Sequence, residues 1–427
     1  MDTLHAPGAA VAAADLERLE AAIATRLPRY LADLERLVNT DCGSYTKSGV
    51  DDVGRWTGAF LERLGASVEY RDDETLGATV VATFASPPRG ASGGASGGAG
   101  APGARLMLIG HLDTVFDPGT AAERPFRIDD AGIAWGPGVT DMKSGLLAGL
   151  YAIDVLRDLG GGSLPFERLV FVANPDEEIG SPTSTPHIRA LAADIDACLV
   201  LECARANGDI VSARKGIVDL RLVVHGRAAH AGVEPDKGRN AVLEASRVVR
   251  ELHALNGRWP GVTVNVGVIA GGTRPNVVPE RCSIEVDVRA TTRDHLVAAE
   301  EAIRELTETT LVPDTRIEIE EMGRHWPMEK LDGAARLVEH GQAVADRLGF
   351  AIRDAATGGA SDANTTAGLG VPTIDGLGPV GGNDHSPAEY LEVASIVPRT
   401  TLLAGLMLAI ARDPVIPTWR HRSSRPG

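Results

Sequence analysis

Hydrophobic residues in the first part of the chain recur at the spacing of helices. Over residues 15–38 they return every three or four positions, which predicts one or two amphipathic helices, because Pro28 interrupts the pattern. Another helix is predicted over 51–65. Farther along, short apolar runs alternate with helical segments, among them 143–159 and 184–193. This alternation predicts an α/β domain with a mainly parallel sheet that helices cover on both faces.

A stretch of Gly, Ala, Ser and Pro interrupts this pattern at 86–104. Such a composition offers no side-chain face to bury, so it predicts a flexible loop. The stretch separates the apolar runs 78–84 and 105–109, and we expect it to be a long connection between neighbouring strands.

Near residue 214 the pattern changes to alternation of apolar and polar residues. The order of elements there is β-α-β-β-α-β, which predicts a ferredoxin-like α+β unit inserted into the larger domain. Its strands and helices are predicted at 217–224, 239–255, 262–269, 282–289, 293–309 and 315–320. The α/β pattern resumes with a helix over 331–348, a strand over 371–374 and a helix over 395–411. The residues from Asp413 onward are rich in Pro, Arg and Ser, which predicts a frayed tail.

Composition narrows the classes of function. The 427 residues carry 42 Lys and Arg against 58 Asp and Glu, a formal net charge of −16, and no dense basic stripe, which argues against a nucleic-acid partner. The four cysteines lie far apart without a C-x-x-C pair, so we expect reduced, buried thiols rather than a disulfide framework. No apolar run reaches the roughly 18 residues of a membrane span, and the first residues do not resemble a secretory signal. We therefore expect a cytoplasmic protein with no membrane partner.

Polar side chains that suit metal binding follow the predicted strands. Each one alone has an ordinary explanation: a polar residue at a strand end, a solvated acid in a loop, or a helix N-cap for Asp141. Ligands of parallel sheets bind at the carboxyl ends of the strands, where so many acids would repel one another without a cation. Imidazole nitrogens and carboxylate oxygens together match the ligand preferences of zinc. The residues are His111, Asp113, Asp141, Glu177, Glu178, Glu202 and His385.

Six strings of the sequence resemble the signature regions of the dinuclear zinc amidohydrolases. That family includes glutamate carboxypeptidase of the G type, acetylornithine deacetylase, succinyl-diaminopimelate desuccinylase and aminoacylases. The strings are MLIGHLDTVF (107–116), GPGVTDMKSG (136–145), NPDEEIGS (174–181), LECAR (201–205), HGRAAHAG (225–232) and NDHSPAEY (383–390). The resemblance covers roughly 16–412. It implies a zinc-exopeptidase-like catalytic domain over 1–213 and 326–427, with a lid and dimerisation domain over 214–325.

The resemblance implies a ligand set for two Zn²⁺ ions per subunit. His111, Asp141 and Glu202 would hold one ion, and Asp141, Glu178 and His385 the other, so that Asp141 would bridge them. Co²⁺ or Mn²⁺ would be the alternative ions at such a site.

The resemblance also implies roles for residues that do not bind metal. Asp113 would orient His111, and Glu177 would be the general base for a water made acidic by the cations. A cis peptide is expected between Asp141 and Met142. His230 would reach the active site of the partner subunit in a homodimer and stabilise the oxyanion.

For the substrate, the resemblance implies a small N-acyl amino acid or peptide with a free carboxylate. Arg289, Asn276 and Arg324 would grip that carboxylate, and Gly358 and Gly359 would form a backbone platform.

One departure from the family bears on specificity. Asp209 falls near the position where glutamate-specific members carry a lysine, so we expect it to disfavour a glutamate side chain. The sequence thus predicts zinc-dependent hydrolysis of the amide bond to a free-carboxylate amino acid, as in a carboxypeptidase or an N-acyl amino acid hydrolase. A biosynthetic deacylase such as acetylornithine deacetylase is the alternative enzyme. An inactive amino-acid-binding homologue is the alternative without activity.

Overall fold

The computed structural model of the protein describes residues 11–85 and 103–421. The predicted flexible loop at 86–104 therefore lies almost entirely outside the described residues, as does the end of the predicted tail.

Helices and strands alternate along the described chain. The α-helices are α1 (Ala13–Val38), α2 (Lys47–Arg63), α3 (Thr120–Glu123), α4 (Ser144–Leu159), α5 (Thr185–Ala192), α6 (Ala241–His253), α7 (Arg293–Glu308), α8 (Asp332–Arg347), α9 (Asp362–Gly368) and α10 (Val393–Arg412). The strands are β1 (Ser67–Arg71), β2 (Thr79–Ala85), β3 (Arg105–His111), β4 (Arg127–Ile128), β5 (Ile133–Trp135), β6 (Arg168–Asn174), β7 (Ala197–Val200), β8 (Ile210–Arg214), β9 (Gly216–His225), β10 (Thr263–Gly271), β11 (Arg281–Ala290), β12 (Arg316–His325), β13 (Asp354–Thr357), β14 (Thr373–Ile374), β15 (Gly381–Gly382) and β16 (Tyr390–Glu392). Shorter helical turns occur at Val139–Lys143, Glu177–Ile179, Pro235–Lys237 and Ile416–His421.

A six-stranded, mainly parallel sheet organises the first part of the fold. Its order is β1-β2-β6-β3-β7-β14, in which β6, β3, β7 and β14 pair in parallel, and β2 pairs antiparallel with both β1 and β6. The strands β3, β6 and β7 are almost wholly buried, as their continuous apolar runs predict. One prediction here is wrong: β2 and β3 are not neighbours, because β6 lies between them and pairs with both.

Helices α1, α4 and α10 supply much of the core beside this sheet. The long helix α1 continues through Pro28, and Asp15 near its start pairs with Arg412 at the end of α10. Within the described residues, α10 is the one helix long and apolar enough to cross a membrane. It is mostly buried against other helices of the protein, which is the ordinary position of a core helix.

The contacts divide the chain into two compact units. The first holds the residues up to Ser212, Lys330–Ala355, and those from Ser361 onward; the second holds Ala213–Glu329 and Ala356–Ala360. The sequence assigned 356–360 to the catalytic domain, but the structure groups this segment with the second unit. The side chains of Arg214 and Arg289, both in the second unit, donate hydrogen bonds to carbonyls of this segment.

The second unit is a four-stranded antiparallel sheet with two helices. Its strand order is β10-β11-β9-β12, and its chain order is β9-α6-β10-β11-α7-β12, which confirms the predicted ferredoxin-like topology. Val218, Leu220, Leu222 and Val224 alternate into its core, while Asp219 is exposed. A period of two along a strand places alternate residues on opposite faces, so this sheet has one apolar face and one charged face.

Two features of the first unit escaped prediction. A small antiparallel sheet of β4, β5, β16 and β15 forms from very short strands. The predicted frayed tail is ordered at its start, since Asp413 is buried against α8 and a helical turn follows at Ile416–His421.

Candidate metal centre

Three parallel strands bring the candidate metal ligands to one edge of the central sheet. Strand β3 ends at His111, and its register places that residue opposite Asn174, the last residue of β6. The turn after β6 carries Glu177 and Glu178, and Glu202 follows β7. Because β3, β6 and β7 run in the same direction, their carboxyl ends meet at the same edge.

Asp141 reaches this edge from the turn that begins α4. The close approach of that turn to β7 depends on Gly145, where a Cβ would lie 1.8 Å from the carbonyl oxygen of Leu201. The peptide bond between Asp141 and Met142 is cis, as expected. One carboxylate oxygen of Asp141 lies 3.0 Å from Nε2 of His111, and the other lies 3.1 Å from Nε2 of His385.

Two groups of potential metal ligands share Asp141. The first consists of His111, Asp141 and Glu202, and the second of Asp141, Glu178 and His385; within each group the ligand atoms all lie within 4.8 Å of one another. Nε2 of His111 is 3.7 Å from Glu202, and Nε2 of His385 is 3.0 Å from Glu178. One imidazole with two carboxylates is a donor set that fits zinc and leaves a position open.

The carboxylates at this edge raise the pKa of both imidazoles. The carboxylates of Asp141 and Glu178 accept hydrogen bonds from His385 and raise its pKa to about 11. Burial lowers the pKa of His111, but the carboxylates of Asp113 and Asp141 outweigh burial and raise it well above its usual range. A divalent cation would take the place of these protons, since metal binding requires neutral imidazole.

Asp113 forms hydrogen bonds with several segments of the site. Its carboxylate accepts hydrogen bonds from the backbone N–H groups of Glu177 and Glu178, both at 3.2 Å, and from the Ser44 hydroxyl at 2.7 Å. The nearest partner of Nδ1 of His111 is the backbone carbonyl of Asp113 at 3.0 Å, with the carboxylate at 3.5 Å. Donation from Nδ1 to this carbonyl leaves Nε2 free to face a metal ion. Asp113 thus orients the imidazole mainly through its backbone.

Glu177 stands beside both ligand groups without belonging to either. Burial raises the pKa of its carboxyl well above the usual range, and the neighbouring carboxylate of Glu202 raises it further. A carboxyl group in such surroundings accepts a proton readily, which is the property that a general base needs.

The other predicted site residues lie in the second unit, where they form two clusters. In one, His230 pairs with Val277, and the backbone N–H of Ala231 donates to the carbonyl of Asn276 at 3.0 Å, so His230 and Asn276 are on adjacent segments. In the other, Arg289 donates from Nη1 to the carbonyl of Gly358 at 2.9 Å.

The second cluster also involves Gly359, whose carbonyl accepts from Arg214 at 3.1 Å. Asp287 binds Nε and Nη2 of Arg289, and its hydrogen bond raises the pKa of that guanidinium. Arg289 is therefore held in place by its own strand.

Arg324 does not join either cluster. Its guanidinium donates to both oxygens of Glu300 and to both oxygens of Glu321, and it stacks on the ring of Trp326. Because these donors bind two acids of the second unit, we expect Arg324 to stabilise that unit, and its contact with a substrate carboxylate stays a prediction.

Asp209 binds groups of the first unit. Its carboxylate accepts from the backbone N–H of Arg353 and from the side-chain amide of Asn207, both at 2.8 Å. One oxygen thus binds the local turn and the other a segment distant in sequence, and the expected effect of Asp209 on a glutamate side chain stays a prediction.

Comparison with known proteins decides the family. The model of Peptidase family M20/M25/M40 matches residues 107–409. The chain belongs to this family. Carboxypeptidase G2 from Pseudomonas sp. (strain RS-16) is 27% identical over 384 residues, 89% of both chains. Acetylornithine deacetylase from Proteus mirabilis (strain HI4320) is 29% identical over 291 residues, 62% of this chain and 67% of the relative.

Solved structures agree on the M20 fold. The aminopeptidase PepT from Bacillus cereus ATCC 10987 superposes with a TM-score of 0.72 at 23% identity, covering 90% of this chain and 99% of that one. The M20 metallo-carboxypeptidase Sso-CP2 from Sulfolobus solfataricus gives a TM-score of 0.65 at 16% identity, with coverage of 90% and 99%. The family and the fold predicted from the sequence are confirmed, and the protein is a metal-dependent hydrolase of the metallopeptidase and amidohydrolase class.

Three residues at the metal centre of this M20 hydrolase escaped sequence reasoning. Ser44 binds Asp113, and Glu389 binds the turn that carries Asp141. Asp362 is buried against Ser181, and burial raises its pKa to about 7. Only Glu389 lies within a recognised string, and nothing in that string separated it from a solvated loop acid.

Proposed function

We propose that the protein hydrolyses the amide bond between an acyl or peptidyl group and an amino acid that keeps a free carboxylate. Two Zn²⁺ ions per chain are the proposed cofactors. Membership of the M20 family supports hydrolysis, and the similarity to carboxypeptidase G2 over 89% of the chain supports this substrate class. The cytoplasm is the proposed compartment, in keeping with four free, buried cysteines.

The observation that carries the proposal is the position of Asp141 between two imidazoles. Its two oxygens face His111 at 3.0 Å and His385 at 3.1 Å, and each imidazole has a further carboxylate beside it. A single carboxylate that serves two ligand groups is the arrangement that a pair of neighbouring cations requires.

Glu177 and Asp113 are proposed to have different roles in hydrolysis. Bound cations would supply the acidity of a water molecule and the polarisation of the scissile carbonyl. Glu177 would accept the proton of the attacking water at its carboxylate and deliver it to the leaving amine nitrogen. Asp113 positions both Glu177 and His111. Its carboxylate accepts from the backbone N–H of Glu177, and its backbone carbonyl binds Nδ1 of His111.

Recognition of the released amino acid is proposed to come from the second unit. Arg289 offers a guanidinium that is already oriented by Asp287, and Gly358 lies against it. Arginine binds carboxylates through paired, charge-assisted hydrogen bonds, so it suits a terminal carboxylate. Asn276 and Gly359 are proposed as further contacts.

We also propose a homodimer formed through the second unit, in which His230 acts on the substrate of the partner subunit. Within the described residues, β10 has a strand partner on one side only, and Val268 and Ile269 on it are exposed. An edge strand with exposed apolar residues is a surface that a second strand can cover.

A substrate panel tests the proposed activity. Zinc-loaded protein is assayed on folyl-glutamate, N-acetyl amino acids including N-acetylornithine, and dipeptides, each with a free and an amidated carboxyl terminus. We expect turnover of free-carboxylate substrates and strong loss on amidation. Equal rates on both forms would contradict carboxylate recognition, and no turnover of any compound would favour an inactive amino-acid-binding homologue. Preference for N-acetylornithine would favour the biosynthetic deacylase.

The same panel needs a control for contaminating hydrolases. Glu177→Gln, purified in parallel, keeps the size and hydrogen-bonding shape of the side chain and removes its basic carboxylate. Activity that persists in this variant does not come from the proposed site.

A further inference from the structure

The turn that presents Asp141 is held by one buried carboxylate. Glu389 is 1% exposed and accepts three backbone hydrogen bonds from this turn: from Gly138 at 2.9 Å on Oε2, and from Thr140 at 2.9 Å and Asp141 at 3.0 Å on Oε1. Successive N–H groups that converge on one anion fix the backbone between them.

Glu389 ties Asp141 to the segment that carries His385. The turn between β15 and β16 contains both His385 and Glu389, and it is closed by internal hydrogen bonds, such as the one from the backbone N–H of Glu389 to the carbonyl of Ser386. Asp141 and His385 meet at 3.1 Å. The same short turn therefore provides the ligand candidate His385 and also Glu389, which binds the backbone of Asp141.

A buried cation holds the other side of the Asp141 turn. Lys143 is 1% exposed, and its ammonium donates to the carbonyls of Pro137 at 3.1 Å and Thr40 at 3.3 Å. Backbone N–H groups of the turn thus donate to the carboxylate of Glu389, and the carbonyl of Pro137 accepts from the ammonium of Lys143. Because these backbone groups are paired, the backbone around Asp141 has little freedom to move.

We propose that Glu389 is a positioning residue of the metal centre: it sets the backbone of Asp141 so that the two carboxylate oxygens face two ions at once. Glu389 itself belongs to neither group of potential metal ligands. This inference rests on the dinuclear centre of the proposed function.

The test compares metal binding in Glu389→Gln with that in the wild-type chain. Glutamine offers one acceptor oxygen, and its NH₂ group would face a backbone N–H of the turn. Zinc affinity is measured by competition with a chromophoric chelator, and the ligand field by the absorption spectrum of the Co²⁺ protein. We expect affinity to fall about 10–100-fold, as it does when groups supporting a metal ligand are altered, together with a changed Co²⁺ spectrum.

Glu244→Gln is the matched control. Glu244 is also a fully buried glutamate whose carboxylate accepts two backbone N–H groups, those of Leu311 and Val312 at 2.7 Å, but in the second unit. We expect it to lower the melting temperature without changing metal affinity or the Co²⁺ spectrum. Glu389→Asp, which keeps the charge on a shorter side chain, is expected to lie between wild type and Glu389→Gln.

The outcomes separate this inference from the proposed function. A wild-type chain that binds neither ion refutes the metal centre itself. Wild-type binding with the same affinity and spectrum in Glu389→Gln refutes only the positioning role, and so does an equal loss of affinity in Glu244→Gln.

Discussion

At the scale of single residues, Asp141 and Glu177 divide the chemistry between them. Asp141 is oriented by backbone hydrogen bonds and faces two imidazoles. Glu177 has a raised pKa because burial and neighbouring carboxylates disfavour its charge. The first residue is suited to hold cations and the second to move a proton, although both carry the same functional group.

Replacing Glu177 with Ala is expected to lower kcat by roughly 10²–10⁴-fold, because proton transfer in the transition state is lost. The metal content should stay at the wild-type level, since Glu177 belongs to neither ligand group. Steady-state kinetics and metal analysis of the same preparation measure both quantities. Near-normal turnover would remove Glu177 as the base.

Arg289 and Arg324 give a second comparison. Arg289→Ala is expected to raise KM for free-carboxylate substrates about 10–100-fold, the effect of losing a charge-assisted contact. Arg324→Ala is expected to lower the melting temperature and leave KM unchanged, because it would leave the buried Glu300 without its guanidinium. A raised KM in Arg324→Ala with an unchanged KM in Arg289→Ala would instead assign carboxylate binding to Arg324.

At the scale of elements, the junction of α8 with the end of α10 shows how a buried ion pair secures the first unit. Asp413 accepts from Arg336 at 2.6 Å and from His340 at 2.7 Å. Burial raises the pKa of Asp413, but these two partners outweigh burial and lower it below the usual value. The paired form of Asp413 thus joins two helices that are distant in sequence.

We expect Asp413→Ala to lower the free energy of unfolding by about 3–5 kcal/mol, because it removes the carboxylate that forms the ion pair with the buried Arg336. A depressed folded-state pKa means that the stabilisation is present above the unfolded value of about 3.9 and is lost as pH falls below it. Wild type and variant should therefore differ at pH 7 and converge in acid. Urea unfolding at both pH values measures this, and an unchanged difference in acid would contradict the ion pair.

The sequence predicts the regular elements better than the short ones. Long periodic stretches such as α1 and the alternating β9 carry their own pattern, and the structure agrees with it. Strands of two or three residues, such as β15 with only Gly381 and Gly382, show no period and form because neighbouring segments pair with them. Glu389 was missed for the same reason, since its importance comes from contacts about 250 residues away in sequence.

The candidate metal site was more predictable than the substrate site. The five ligand candidates end or follow elements with clear patterns, and in the structure they lie in two groups that share Asp141. For Arg324 and Asp209, the structure adds what the sequence does not show, namely which neighbouring groups already bind these charged side chains.

At the scale of the whole molecule, the proposed homodimer predicts complementation. A subunit with His230→Ala and one with Glu177→Ala are each expected to be inactive as homodimers. A purified heterodimer should regain about half of the wild-type activity, because one of its two sites then has an intact Glu177 and an intact His230 from the partner. No recovery in such heterodimers would contradict action of His230 across the dimer.

The central claim is that Asp141 joins two metal ions, and metal analysis of the purified chain tests it most directly. Zinc per chain is measured after equilibrium dialysis for wild type, Glu202→Ala and Asp141→Ala. Because the ligand groups share only Asp141, we expect two ions in wild type, one in Glu202→Ala, and the loss of both in Asp141→Ala. A wild-type chain that binds at most one ion at saturation, or an Asp141→Ala chain that still binds two, would contradict the account.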